Sequence, residues 1–453
     1  MAAPAGGMMD RAAAVGEERD YPGRFYAWGV VAILVATAVL SYTDRQVLSL
    51  LVDPIRRDLG IGDVEMSLLL GSAFAVIYGV AGIPFGWLAD RISRRNLIFA
   101  GVLVWGIGTL ACGYAGTFHE LFAARVIVGL GESVLSPAAI SLISDYFPPA
   151  RRGFAVGAFL SGIAIGQGAA ILIGGAALHF VQAGTLAGTP LAAMAPWRLV
   201  LLVIGAPALV WSLAIFLIRE PQRRDARAAG PEMGSDSRVI GSREGVLAVV
   251  WGRMTPVFVV LAAGSLVDNA VGAWAPTLLI RDFHLNAAHV GLALGARLVL
   301  GFGAGVLAGG WLSDVVGRGG HFSRKLLVCL AASALILPVS WGIDGSSANL
   351  VMLAVAAYFL LSGSVTACGF SALLDVVPGE RRGLAMAVSF FLNVAIGAGL
   401  GPTLVALFGA HIFGSHAGLG APIALTATLG YGLDVILLAV TVAVLQPRPM
   451  IRA

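Results

Sequence analysis

Long apolar runs separated by short polar loops occupy most of the chain. A bilayer core of ~30 Å takes ~20 consecutive apolar residues of helix. Runs of about that length fall near 26–52, 64–89, 96–115, 119–145, 152–181, 197–218, 254–281, 288–316, 324–344, 347–375, 381–412 and 421–445. Apolar residues are continuous within each run rather than alternating, which predicts helices and not barrel strands. The pattern predicts an all-α membrane protein with twelve transmembrane helices. The longest polar stretch divides the runs six and six. That gives a bundle over 26–218, a linker over 219–253 and a second bundle over 254–445. Residues 1–25 and 446–453 are tails, the first so rich in Ala, Gly and charge that it predicts disorder. The run after Arg24 is too long for a signal-peptide core and reads as a retained first helix. Val246–Trp251 in the linker is apolar enough to lie on the membrane surface, and fits a plain tether equally well.

The loops alternate in charge. Most of the 29 Lys and Arg fall in the tails, the linker and the loops from even to odd helices. The other loops hold Arg56, Arg57 and Arg281, with Arg198 opening the sixth run. The positive-inside rule then predicts that both termini are cytoplasmic, as an even number of spans requires.

Composition agrees. The chain is 58% hydrophobic and 12% charged, against about 25% charged in soluble domains. The net charge of +4 comes mostly from loop arginines, and no basic stripe with interleaved aromatics predicts a nucleic-acid partner. Cys112, Cys329 and Cys368 sit singly inside apolar runs, with no metal or disulfide spacing. The seven histidines are scattered, His284, His289, His411 and His416 among them in outer loops. No nucleophile–base set appears, so the sequence predicts no enzyme, no cofactor and no metal. No segment outside the runs is long enough to fold a signalling domain, which argues against a receptor.

The halves repeat. Gly86-Trp-Leu-Ala-Asp90-Arg91-Ile-Ser93-Arg94-Arg95 follows the second run, and Gly310-Trp-Leu-Ser-Asp314-Val-Val-Gly317-Arg318 follows the eighth, 224 positions on. Asp145-Tyr-Phe-Pro148-Pro-Ala-Arg151-Arg152-Gly153 follows the fourth, and Asp375-Val-Val-Pro378-Gly-Glu-Arg381-Arg382-Gly383 follows the tenth, 230 positions on. Two motif pairs at nearly equal displacement mark a duplicated six-span unit. This G-x-x-x-D-R-x-x-R-R loop with its second copy resembles the signature of the major facilitator superfamily, although Ser93 stands where that family usually has Gly. The resemblance implies two pseudo-symmetric six-helix bundles that rock about a central site. A carboxylate at a helix end can pair with arginines of its own loop and of the next helix. Asp90, Arg91, Arg94, Arg95, Asp145, Arg151, Arg152, Asp314, Arg318, Arg381 and Arg382 are therefore expected to form a cytoplasmic gate that locks and releases; helix capping and topology are the plainer use of the same charges.

Ionisable residues at membrane depth are costly and mark function or internal pairing. They are Asp44, Arg45, Arg125, Glu132, Asp268, Arg297 and Asp434. Helix rise places Asp44 and Arg125 at similar depth, with Glu132 on the face of Arg125 about 10 Å deeper. Asp44 and Arg125 could meet, and Arg45 is a second partner for either acid; the sequence leaves the pairing open. Asp268 stands 224 positions after Asp44, with Asn269 in the place of Arg45, and Arg297 is expected to pair with Asp268. A buried carboxylate beside arginine can change protonation as its hydration changes. Asp44 is the first candidate proton carrier and Glu132 the second; a permanent ion pair is the alternative. Arg125 and Arg297 suit an anionic head group or internal pairing, and Asp434 is assigned to packing.

Tyr42-Thr-Asp44-Arg45, Pro54-Ile55, Ile61-Gly62-Asp63, Pro84-Phe85-Gly86 and Arg125-Val-Ile-Val-Gly129-Leu-Gly131-Glu132-Ser133 resemble the Spinster branch, with a general likeness over about 25–445. Organic-anion symporters share the helix-one stretch. The Spinster resemblance implies a bacterial inner-membrane protein, acting as a monomer, that moves a lysolipid, sphingosine-1-phosphate or similar amphipathic anion together with protons. Asp44 would match the protonation site, modulated by Arg45. Arg45, Arg125, Glu132, Ser133, Asp268, Asn269 and Arg297 would contact substrate, with Trp274 and Phe302 as apolar walls. Proton symport of a small organic acid is the alternative.

Overall fold

The computed structural model describes residues 21–185, 188–222, 243–317, 322–377, 388–389, 391–414 and 418–445. Both tails apart from 21–25, most of the predicted linker, and Arg318, Arg381 and Arg382 of the expected gate lie outside these residues.

The described chain is helical throughout. Helices α1 (Arg24–Leu50), α2 (Asp63–Ala89), α3 (Arg94–Tyr114), α4 (Phe118–Tyr146), α5 (Pro149–Gln182) and α6 (Pro196–Leu217) form the first half. Helices α7 (Arg243–Arg281), α8 (Ala287–Val316), α9 (Phe322–Trp341), α10 (Ala348–Val376), α11 (Asn393–Phe413) and α12 (Gly420–Leu445) form the second. Among the described residues, eleven helices are long and apolar enough to cross a membrane; α5 adds the apolar segment Gly168–Gln182. The end of the predicted linker is helix: α7 begins at Arg243.

Local chemistry sets several helix starts. The side chains of Ser93, Thr117, Asn286 and Ser347 accept from the backbone N–H of Asn96, Glu120, Ala288 and Leu350, relieving donors a helix start leaves unmatched. Pro149 and Pro196 open α5 and α6, where a missing N–H costs nothing. Large apolar side chains such as Val76, Ile83, Leu300, Leu307, Ile436 and Val444 face outward, as a bilayer solvent requires.

The halves meet at the arginine-poor face, opposite the face where α1 begins. Glycines let the backbones touch there. A Cβ on Gly175 of α5 would stand 2.7 Å from Gly291 Cα of α8, and one on Gly168 2.5 Å from Val299 N. The Ser72 hydroxyl donates to Gly399 O of α11 at 2.7 Å, and Thr277 donates to Ser49 O at 3.0 Å. Arg281, at the end of α7, donates to Asp53 at 2.7 Å and to Asp63 at 2.9 Å, so one guanidinium clasps two acids of the other half. Arg56 joins the cluster through Asp63 at 3.0 Å. Bidentate arginine geometry suits such a clasp.

The charges of the arginine-rich face pair within each half. Buried Arg94 donates to Asp145, and at 2.8 Å to Glu220, just beyond α6. Glu220 also accepts from Ser93 and from the Arg95 N–H at 2.8 Å. Burial pushes the Glu220 carboxyl up, and these hydrogen bonds outweigh it, so the group titrates below its ordinary value. Lys325 pairs with Asp375 at 2.6 Å in the second half. Asp90 and Asp314 are exposed and make no ion pair among the described residues, and Arg91 lies over the Trp87 ring at 3.6 Å. The gate expectation is thus corrected in part: Glu220, not Asp90, joins Asp145 in holding the arginine of this loop. Arg151 is exposed and Arg152 half-buried at the start of α5.

Candidate transport site

Asp44, Arg45, Arg125 and Glu132 converge in the middle of the first half, and of the pairings left open Arg45 with Glu132 is the one formed. Arg45 Nη2 donates to Glu132 Oε2 at 2.7 Å, and the Ser41 hydroxyl donates to the same oxygen at 2.6 Å. The Arg45 guanidinium lies 4.0 Å from the Phe74 ring centre, 4.7 Å from Tyr42 and 5.3 Å from Tyr78. Three aromatic faces and one carboxylate replace the water a mid-membrane cation loses. Glu132 Oε1 and Arg45 Nε have no hydrogen-bond partner.

Asp44 takes no arginine within ion-pair distance among the described residues. Its Oδ2 contacts the Thr109 hydroxyl, which also donates to Trp105 O at 3.0 Å. One hydroxyl carries one proton. The Thr109 hydroxyl is the donor to both, so its proton is shared between the Asp44 carboxyl and the Trp105 carbonyl.

Arg125 is fully buried, and its Nε donates to Leu69 O at 3.3 Å. Leu69 belongs to a π-helical turn of α2, Leu68–Ser72, where the ladder frees carbonyls. Both terminal nitrogens of Arg125 are without partners. Asp44 and Arg125 are therefore not paired; helix rotation gives Glu132 to Arg45 and leaves Arg125 with unmatched donors. Ser133 directs its hydroxyl to Leu130 O of its own helix at 2.7 Å.

In the second half, Asp268 Oδ1 accepts from Tyr358 at 2.7 Å and from Ser362 at 2.5 Å. Ser362 stands 230 positions after Glu132, the displacement of the second loop pair. Asp268 does not pair with Arg297. That arginine is exposed and donates to Ala293 O of its own helix at 2.9 Å. It shares the outward stripe of α8 with Leu300, Ala304 and Leu307, away from the buried Leu298 and Phe302. Asn269 donates to Ser265 O at 2.9 Å. Trp274 is buried and donates to Pro402 O at 2.9 Å, which makes it a strut between α7 and α11 and not a wall of the pocket.

A narrow pocket lies at the seam of the halves. Gln46, Gly168 and Ile171 line it from the first half, and Asp268, Gly272, Leu298, Phe302 and Phe359 from the second. Phe302 is thus a wall, as expected, and Asp268 and Gln46 are the polar groups. Thr109, Ser41, Tyr358, Ser362 and Glu220 were not singled out from the sequence. Only Ser362 carried a signal, its displacement from Glu132.

The model of the Major Facilitator Superfamily matches residues 34–402. An MFS-type efflux pump of Mycolicibacterium smegmatis is 27% identical over 403 residues, covering 86% of each chain. A hexuronate transporter of Bacillus subtilis is 25% identical over 389 residues, covering 83% of this chain and 86% of that one. Protein spinster of Drosophila melanogaster is 25% identical over 396 residues, covering 83% of this chain and 61% of that one. Among solved structures, a bacterial homologue of the human lysosomal transporter Spinster, inward-facing and unoccupied, superposes with a TM-score of 0.72 at 23% identity, covering 93% of this chain and 96% of that one.

Proposed function

From the premise that this chain belongs to the major facilitator superfamily, and is a multi-pass secondary transporter, we propose that it moves an amphipathic anion of the lysolipid or sphingolipid class across the bacterial inner membrane, coupled to protons. The likeness to protein spinster supports this reading. The seam pocket has room for about one water in this state, and Leu298, Phe302, Phe359 and Ile171 give it apolar sides beside the polar Gln46 and Asp268. A sugar acid would need hydrogen-bonding groups on most sides. The chain works as a monomer, with the arginine-rich face and both termini in the cytoplasm by the positive-inside rule.

Asp44 is the proton carrier in this scheme, and its burial at membrane depth with no arginine at ion-pair distance among the described residues supports it. Glu132, held by Arg45 and Ser41, is the second acid. Arg125 is the cation in reserve: when Asp44 gives up its proton, the unmatched nitrogens of Arg125 are donors at the same depth. Proton loss and rocking of the halves are then linked, because Arg125 also holds the α2 turn that packs on α11. With the arginine-poor face closed by Arg281, Asp53 and Asp63, substrate exchange in this state is with the cytoplasm.

The sugar-acid relatives favour a second reading, proton symport of a small organic acid. Proteoliposomes separate the two. We expect movement of lysophosphatidylethanolamine or sphingosine-1-phosphate and none of a hexuronate. Hexuronate uptake without lipid movement would replace the first reading by the second.

A further inference from the structure

The second half holds two buried acids that the proton scheme above leaves unused. Asp268 lies mid-way along the membrane span Met254–Arg281 of α7, and Asp434 mid-way along α12. Asp434 is 0% exposed, and neither of its carboxyl oxygens has a hydrogen-bond partner. An unpaired carboxylate cannot be held ionised at that depth without a large cost, so Asp434 is a neutral acid in this state. Asp268 is built differently. One oxygen, Oδ1, takes both hydroxyl bonds, from Tyr358 and Ser362. The acid also lines the seam pocket, opposite Gln46 of the first half.

That division suits a carboxyl group which gains and loses a proton without disturbing its support. In the acid form, Oδ1 is the carbonyl oxygen and still accepts two hydrogen bonds, while the proton sits on Oδ2. In the ionised form, the same two donors hold the charge. We propose that Asp268 is a second proton-binding site, so that each half of the transporter carries one exchangeable proton, Asp44 in the first and Asp268 in the second. The inference rests on the proton-coupled reading given above.

The surroundings contain no competing charge. Among the described residues, α10 presents Tyr358 and Cys368, α12 presents Tyr431 and Asp434, and α9 presents Cys329. Lys325 lies at the arginine-rich end of α9 and is engaged by Asp375. Helix α11 contributes only His411, at its far end, and Arg297 of α8 is turned outward. From the first half Gln46 faces the pocket, next to Arg45, which Glu132 holds. Tyr431 lies one turn before Asp434, and its ring meets that of Tyr358 edge-on at 5.9 Å. Asp434 thus stands behind the two tyrosines as a neutral neighbour. Were it ionised, its charge would oppose ionisation of Asp268.

Infrared difference spectra of the purified protein in lipid nanodiscs, recorded between acid and alkaline pH, test this without knowledge of the substrate. Among the titrating carboxylic C=O bands, we expect one that belongs to Asp44 and one that belongs to Asp268. Asp44→Asn removes one such band and Asp268→Asn removes another, while Asp434→Asn leaves both. A difference spectrum unchanged by Asp268→Asn overturns the second site while leaving Asp44 in place. Loss of no band in either Asp44→Asn or Asp268→Asn overturns both sites and leaves Glu132 as the carrier. If Asp268→Asn does not fold, Tyr358→Phe decides: it removes one hydrogen bond to Oδ1 and moves the Asp268 band, and an unmoved band overturns the inference.

Discussion

At the level of single side chains, the Arg45–Glu132 pair sets the energetics of the first half. Both groups are largely desolvated. Removing one partner of a buried pair costs about 3–5 kcal/mol, because the other charge is left alone. Arg45→Ala is therefore expected to lower stability by about 3 kcal/mol, and Arg45→Ala with Glu132→Gln to recover most of that loss; thermal unfolding of the four proteins in detergent measures the cycle. A loss in the double variant equal to the sum of the two single losses would mean that the pair is not coupled. Glu220 gives a pH signature. Its carboxyl titrates below its ordinary value in the folded state, so its stabilising contribution is present above the unfolded value near 4.3 and vanishes as pH falls through the folded one. Wild type is expected to exceed Glu220→Gln in thermal stability at pH 7, and the difference to close in acid. At this scale the sequence was least informative. It named Asp44, Arg45, Arg125 and Glu132 as a group, because ionisable residues are rare in apolar runs. It did not pair them, since partner choice depends on rotations of α1 and α4 that spacing alone leaves open. Arg297 failed for the same reason: depth is legible from helix rise, whereas the side of the helix that faces the partner is not.

Among elements, the close approach of α5 to α8 decides how firmly the arginine-poor face stays shut. A Cβ at Gly175 meets backbone of α8, not a flexible side chain that can yield. Gly175→Val is expected to separate the two helices there and favour opening of that face. Spin labels placed at the ends of α5 and α8 on that face would report a longer distance. Gly157→Ala, with nothing within 4 Å of the added Cβ, serves as the control and should leave the distance unchanged. An unchanged distance in Gly175→Val would show that the seam tolerates expansion. Elements were far more legible than contacts, because a run of apolar residues of bilayer length has few structures open to it. The π-helical turns of α2 and α11 were not legible: Leu68–Ser72 and Asn393–Ala398 carry no composition that separates them from α-helix.

For the whole molecule, the two matched loop motifs made the duplication readable before any contact was known, and a major facilitator fold follows. The state of the molecule was not readable. It rests on pairings across the halves, above all the clasp of Arg281 on Asp53 and Asp63. These groups are part-exposed, so the clasp is worth about 1 kcal/mol or less, and Arg281→Ala is expected to shift the balance toward opening of the arginine-poor face by up to about fivefold. Labelling of a cysteine placed near Ser49 should quicken accordingly, and unchanged labelling would assign closure to the helix seams alone.

The central claim is proton coupling through Asp44, and the most direct measurement is lysophospholipid movement in proteoliposomes under an imposed proton gradient, for wild type and Asp44→Asn. The account predicts movement that follows the gradient in wild type and loses that dependence in Asp44→Asn. Lipid movement with the same gradient dependence in both proteins would contradict it.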